Sequence, residues 1–330
     1  MNIASIQALT NNISYYAPYC ILVLGNVSCI CNFITFTVKQ LRHNSCGWYF
    51  LMSALFDFLY INFGLFTKLS SEQYGSTLQN TNLAWCRIRV FLTWTLPCFA
   101  TSYLVLASLD RCLSTSTITR LRSFSQVKIA RRITPIPVLL YSLTTCHQFF
   151  YYDLRPTCSP LPGTYAFFLS MYSIIWTSLI PQGCMLSFGI LTYLNIRKSR
   201  LRLIHPVAER TNEPKRSRMD TQMIRITLIQ VLCSSILLNI RTAYYSYTVL
   251  STSIAKSSER RAMESLLLQI SSFVFYLNFS KGFFVNTLSS KLFRRVFKQQ
   301  LIAFCHRITC GKFHMAFKDE RQANPTKVAS

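Results

Sequence analysis

Long uncharged runs alternate with short charged stretches along this chain, and seven runs stand out: 16–38, 48–67, 90–109, 133–152, 165–196, 226–250 and 266–290. A bilayer core roughly 30 Å thick takes about 20 residues of helix, because each backbone N–H and C=O must be paired within the segment where no water reaches. Every run meets that length. They contain few internal glycines and no ten-residue alternation of apolar and polar positions, so a transmembrane barrel does not fit. The pattern predicts an all-α membrane protein, with a seven-transmembrane helix bundle over 16–290 and a short N-terminal tail over 1–15. Beyond the last run, Phe293, Phe297 and Leu301 recur at i, i+4 and i+8 with Arg294, Arg295 and Lys298 between them. That spacing predicts a short amphipathic helix over 291–304 lying on anionic lipid, followed by a tail over 305–330.

Composition agrees. The chain is 51% hydrophobic and only 14% charged, whereas soluble domains carry roughly a quarter charged residues. Its mean hydropathy is +0.27. With 25 Phe, 17 Tyr, 9 Gly and 11 Pro it is neither collagen-like nor disordered. A net charge of +24 in a soluble protein would point to nucleic acid. Here the positions of the charges point to lipid instead. With the N-terminus outside, 26 of the 35 Lys and Arg face the cytoplasm, 7 face outside and 2 lie within runs. This asymmetry sets the expected orientation, multi-pass in the plasma membrane with an extracellular N-terminus. The first fifteen residues carry no charged side chain, so no signal-peptide n-region is present and the first span is expected to act as its own insertion signal.

Seven of the 13 cysteines fall within runs, where a thiol behaves as a small buried hydrophobe. Only Cys86 and Cys158 fall clearly in outside loops, and in an oxidising compartment they are expected to form a disulfide. Asn12-Ile13-Ser14 is a glycosylation acceptor in the outside tail, whereas Asn26-Val27-Ser28 and Asn278-Phe279-Ser280 match the pattern within lipid.

The third run closes on Ser108-Leu109-Asp110-Arg111-Cys112. This resembles the DRY motif of rhodopsin-like (class A) G-protein-coupled receptors, and the separation of Cys86 from Arg111 is in the family's register; 25 helical steps cover about 38 Å. The resemblance runs from about Tyr16 to Phe304. Gly25-Asn26 is similar to the Gly-Asn pair of the family's first helix, Asp57 to the buried acid of the second helix that can bind sodium, and Pro181 to the fifth-helix proline. Residues 286–294 are similar to the passage from the seventh helix into the interfacial eighth one. Cys305 and Cys310 just beyond are palmitoylation candidates, with unmodified thiols the alternative. The approach to the sixth span, 222–231, and the ending Leu288-Ser289-Ser290 resemble a divergent invertebrate orphan and neuropeptide-type branch. The resemblance implies that Asp110 holds Arg111 inward at rest and that Arg111 turns toward a heterotrimeric G protein on activation. It implies no cofactor, no metal and no nucleic-acid partner.

Departures from the family are plain. Gly282-Phe283-Phe284-Val285-Asn286 replaces NPxxY, the CWxP motif is missing near Asn239-Ile240-Arg241, and the fourth run has no tryptophan. Thr93 stands where aminergic receptors carry an acid, and Tyr276 where opsins carry the retinal lysine. A peptide is therefore the expected ligand. Trp94, Tyr172, Trp176, Tyr244 and Tyr247 are aromatic candidates for its pocket, although such residues also serve as packing and interface anchors.

Within the runs the only ionisable Asp, Glu, Lys or Arg are Asp57, Arg241 and Lys281. An intramembrane charge costs about 2.5–3.5 kcal/mol on insertion scales, so each is a functional candidate. Two arrangements are open: the cations snorkel toward water or a wet cavity, or one of them pairs with Asp57 in place of an ion. A transporter or channel is the rival class, but seven is odd and no internal repeat is present. An enzyme is not expected. His147 is the only histidine in a run and has no paired acid, so it reads as a hydrogen-bonded core residue.

Overall fold

The computed structural model describes residues 2–154, 157–202, 214–251 and 254–303. The elements are α1 (Ile3–Phe36), α2 (Ser45–Glu72), α3 (Leu83–Thr115), α4 (Pro135–Thr145), β1 (Tyr152–Leu154), β2 (Cys158–Pro160), α5 (Thr164–Tyr172), α6 (Ile180–Arg202), α7 (Pro214–Leu250), α8 (Ser258–Ser280) and α9 (Gly282–Ser289). Six helices are long and apolar enough to cross a membrane: α1, α2, α3, the stretch Thr164–Lys198, the stretch Met219–Leu250 and α8. The chain is an all-α, multi-pass membrane protein. α1 packs between α2 and α8, α7 packs on α8, and α3 lies against α2, α4, α6 and α7.

The distribution of polarity is that of a protein solvated by lipid. Ser28, Thr95, Ser234, Asn286 and Arg111 are buried, whereas Phe66, Leu143 and Leu232 face outward. Hydroxyl groups survive in such surroundings because the helix itself supplies their acceptors. Thr95, Thr101, Ser102, Thr192 and Thr242 each donate to the carbonyl four residues back. Side chains also close helix N-termini: Asn44 accepts from Cys46 N, Asn82 from Trp85 N and Ser257 from Arg260 N.

The structure departs from the sequence expectation in five places, each with a local cause. α1 begins at Ile3, so helix continues through residues expected to form a tail. Ile6, on that added stretch, is buried. The fourth run forms shorter pieces, Val127–Ile133, α4 and Gln148–Tyr151, with turns at Thr134 and at 146–147. Pro135 opens α4 at its first position, where the absent N–H is not missed, while Thr134 before it keeps helical angles, so the break interrupts the hydrogen bonding more than the path of the chain. Between α5 and α6, Ser173–Leu179 winds as a π-helix just before Pro181. A proline ring clashes with the carbonyl four residues back, and widening the turn relieves it. α7 begins 12 residues, just over three turns, before the start of its run, and the seventh run breaks at Lys281 between α8 and α9. Residues 291–303 are helical and bury Phe293 and Val296 against the bundle.

Outside the helices, β1 pairs antiparallel with β2, setting Tyr152 opposite Pro160 and Leu154 opposite Cys158. The Cys86–Cys158 disulfide ties this hairpin to the start of α3, as the sequence led us to expect. Arg87 Nε donates to Tyr152 O at 3.1 Å, and Cys158 N to Asn80 Oδ1 at 3.1 Å. The disulfide closes a separation of 72 residues, worth about 4 kcal/mol in the chain-entropy account. Cys86→Ser, Cys158→Ser and the double variant are each expected to lower surface expression several-fold to the same level; an additive loss in the double variant would contradict a shared bond.

Candidate functional site

Three polar clusters lie along the bundle axis. The first is built on Asp110 and Arg111 near the C-terminal end of α3, where both are buried. Arg111 Nε donates to Asp110 Oδ2 at 3.1 Å and a terminal guanidinium nitrogen donates to the same oxygen, while Ser125 Oγ donates to Oδ1 at 2.7 Å. Arg111 also reaches Asn44 Oδ1 at 3.3 Å and Asp220 Oδ1 at 3.4 Å, and Asn44 Nδ2 donates to Asp220 Oδ1 at 3.3 Å. One guanidinium thus joins α3 to the N-cap of α2 and to α7. Sequence reasoning found Asp110 and Arg111 but missed Asn44, Ser125 and Asp220. The available signal for Asp220 was an acid six residues before the sixth run, in an otherwise strongly basic approach.

The second cluster surrounds the break at Lys281. Breaking a helix in lipid frees backbone groups that must be bonded elsewhere. Phe283 N donates to Ser28 Oγ of α1 at 3.0 Å, and Gly282 O accepts from Gln230 Nε2 of α7 at 2.9 Å. Gln230 Nε2 also donates to Asn286 Oδ1 at 2.8 Å, and Asn286 Nδ2 to Asn32 Oδ1 at 3.1 Å. A Cβ at Gly282 would stand 2.7 Å from Asn32 Nδ2, so this close approach needs glycine.

Lys281 points inward rather than snorkelling: its Nζ donates to Asn278 Oδ1 at 2.6 Å, Asn278 O at 2.8 Å and Ser234 Oγ at 2.8 Å. Asp57 and Lys281 line one small cavity of about 30 Å³. They form no direct ion pair, so the charges meet across this space rather than in the contact weighed from the sequence. Removing either leaves the other buried without a counter-charge. Asp57→Asn and Lys281→Met are each expected to cut surface expression several-fold and the double variant to recover it; additive losses would reject the pairing.

The third cluster lines a cavity of about 330 Å³, entered one helical turn below Cys86. Its walls come from α2 (Tyr60, Lys68, Glu72), α3 (Arg89, Thr93, Trp94), the π turn (Ser173, Thr177), α6 (Gln182), α7 (Arg241, Tyr245) and α8 (Phe275, Tyr276). Arg241 NH1 donates to Ser271 Oγ and Ser272 Oγ, each at 3.1 Å, so this cation also faces the interior. Lys68 Nζ lies 2.8 Å from Gln269 Oε1 and 3.7 Å from Glu72 Oε1.

No protein-family model matches this chain, and no curated protein does either. Among the aromatic candidates, Trp94 lines the cavity, whereas the others have packing or tethering roles. Tyr172 bonds Thr144 and Thr145, and Trp176 packs at a tilt against Tyr141. Tyr244 and Tyr247 donate to Glu264 O and Oε1, fastening the end of α7 to α8 with Arg260 and Lys256. Thr93 and Tyr276, singled out only for lacking a charge, are both in the wall. His147 Nδ1 meets Tyr165 Oη at 2.8 Å, a packed core position. Asn12 is exposed on α1, four residues before the first uncharged run. Cys305, Cys310, Arg155, Pro156 and residues 203–213 lie outside the described residues.

Proposed function

We propose that this chain is a rhodopsin-like G-protein-coupled receptor of the plasma membrane that binds an extracellular ligand, a peptide, and activates a heterotrimeric G protein by rearranging helices around Arg111. In this reading the chain crosses seven times with its N-terminus outside. The fourth crossing is made by the pieces over 127–151, whose 25 residues rise about 37 Å. The helix over 291–303 lies on the inner interface as an eighth one.

The observation that carries the proposal is the buried guanidinium of Arg111 bridging α3 to α7 through Asp110 and Asp220. A cluster of charge-assisted bonds between two helices defines a closed arrangement, and parting the helices defines an open one. A ligand that fits the open state better shifts the population toward it. The protein performs no bond chemistry; it promotes nucleotide exchange in its partner. The disulfide-tethered hairpin beside the cavity and the cavity's wall of six structural segments support a ligand site on the opposite face from Arg111.

The test is nucleotide exchange on co-expressed heterotrimeric G proteins in membranes carrying the chain. Exchange that depends on Arg111, with an epitope tag on residue 1 reached from outside intact cells and one on residue 330 reached only after permeabilisation, is the expected result. Tags reached from the same side, or flux of solute through reconstituted vesicles without any exchange, would favour a transporter instead.

A further inference from the structure

The cavity below the disulfide carries more positive charge than its own walls can neutralise. Lys68, Arg89 and Arg241 line it against a single carboxylate, Glu72, which lies beside Lys68. Neither guanidinium forms an ion pair among the described residues: Arg241 donates to serine hydroxyls, and Arg89, within electrostatic reach of Glu72, has a buried Nε with no hydrogen-bond partner. Gln182, 4% exposed on the opposite wall, likewise has an unpartnered Nε2. Buried donors without acceptors are costly, and a buried cation without a counter-ion more so. Arg89, Arg241 and Gln182 thus line one cavity, two of them with an unpartnered buried donor, a lining that suits an anion. Trp94 and Phe275 in the same wall add an apolar, aromatic surface.

We infer that this cavity binds a ligand through a carboxylate, held between Arg89 and Arg241 with the Gln182 amide donating to it, and with an apolar or aromatic body against Trp94 and Phe275. A planar carboxylate matches the two parallel N–H groups of a guanidinium, which a point cation or a neutral amide does not. The inference deepens the receptor reading and rests on it for the word ligand. Two sources offer the group: the free C-terminus of a peptide and a small organic acid. A ligand whose only charge is an ammonium group is disfavoured by like charge.

The experiment uses the full chain in lipid nanodiscs, with thermal unfolding and tryptophan fluorescence as readouts and no G protein present. The probes are 3-phenylpropionate, 3-phenylpropionamide and phenethylamine at matched ionic strength, and the tripeptide diglycyl-phenylalanine as free acid and as amide. The free acids are expected to raise the unfolding midpoint saturably, and the amides and the amine to leave it unchanged. Arg89→Gln and Arg241→Gln are each expected to weaken acid binding about tenfold, the loss of one charge-assisted contact. Arg89→Lys, which keeps the charge but not the fork, is expected to retain part of it. Tighter binding by the tripeptide acid assigns the carboxylate to a peptide, and tighter binding by 3-phenylpropionate assigns it to a small acid. Stabilisation by the amide or amine equal to that by the acid, or acid binding unchanged in both Gln variants, overturns the inference. Acid binding without Arg111-dependent exchange would retain the anion site and remove the receptor reading; exchange without acid binding would do the reverse.

Discussion

Asp220→Asn is expected to raise ligand-independent nucleotide exchange about fivefold. Asp220 holds Arg111 NH1 at 3.4 Å from across the gap between α7 and α3, and it also accepts from Asn44. The asparagine keeps the size and one acceptor but loses the charge, so what is removed is the electrostatic part of the tie. Asp220 is 40% exposed, and a half-exposed ion pair is worth about 1 kcal/mol after screening. A change of 1 kcal/mol in the closed-to-open balance multiplies a minor open population by about five. Exchange measured against surface expression checks this, and Asp220→Glu, which restores the charge, should return most of the closed state. Basal exchange equal to that of the parent chain would remove Asp220 from the switch.

Arg111→Ala is expected to abolish exchange altogether while leaving binding of carboxylate probes at the far cavity within a factor of about three. The cavity's α3 lining runs from Arg89 to Thr101, and Arg111 lies ten residues beyond its nearer end, about 15 Å along that helix. No direct contact connects them. Alanine also strips Asp110 of its counter-charge inside the protein, where only Ser125 Oγ would remain. An uncompensated buried carboxylate costs about 3–5 kcal/mol, so lower expression is expected, and the comparison must be made per folded receptor. Arg111→Gln retains donors toward Asp110 and is expected to express better while still failing to couple. Normal coupling in the glutamine variant would count against a role for the guanidinium.

The two variants move in opposite directions although their residues touch. Removing Asp220 loosens the closed state and spares the group that engages the partner, whereas removing Arg111 takes away both. A purely structural ion pair would give loss of expression in both cases and a gain of exchange in neither.

The sequence made the membrane class legible because length and the absence of charge are properties of one segment at a time. It also made Cys86–Cys158 and the Asp110–Arg111 pair legible, the first through compartment and the second through position at a helix end. Contacts between segments were much harder to read. Asp220 sits in a basic approach that reads as solvated loop, and only the inward extension of α7 brings it to Arg111. Asn44 caps α2, and its contact with Arg111 appears only when α3 lies beside it. Lys281 has the reach to snorkel, yet the break at that residue turns its side chain to Asn278 and Ser234. Lys68 and Arg89 lie outside the uncharged runs and so drew no attention as site residues; folding places them in the same cavity as Arg241. Hydrophobic runs locate the middle of a helix better than its ends, and here the ends carry most of the chemistry.

The interruption after α8 has a mechanical consequence. Gln230 grips both the carbonyl of Gly282 and the side chain of Asn286, while Ser28 and Asn32 hold the same short helix from the α1 side. An outward swing of the inner half of α7 must therefore either drag α9 along or rupture two bonds worth about 1 kcal/mol apiece. α9 in turn is moored to α1, which packs widely against α2 and α8 and is poorly placed to follow. In the proposed receptor the short helix is thus a latch between a moving limb and a fixed one, fastened by amide side chains.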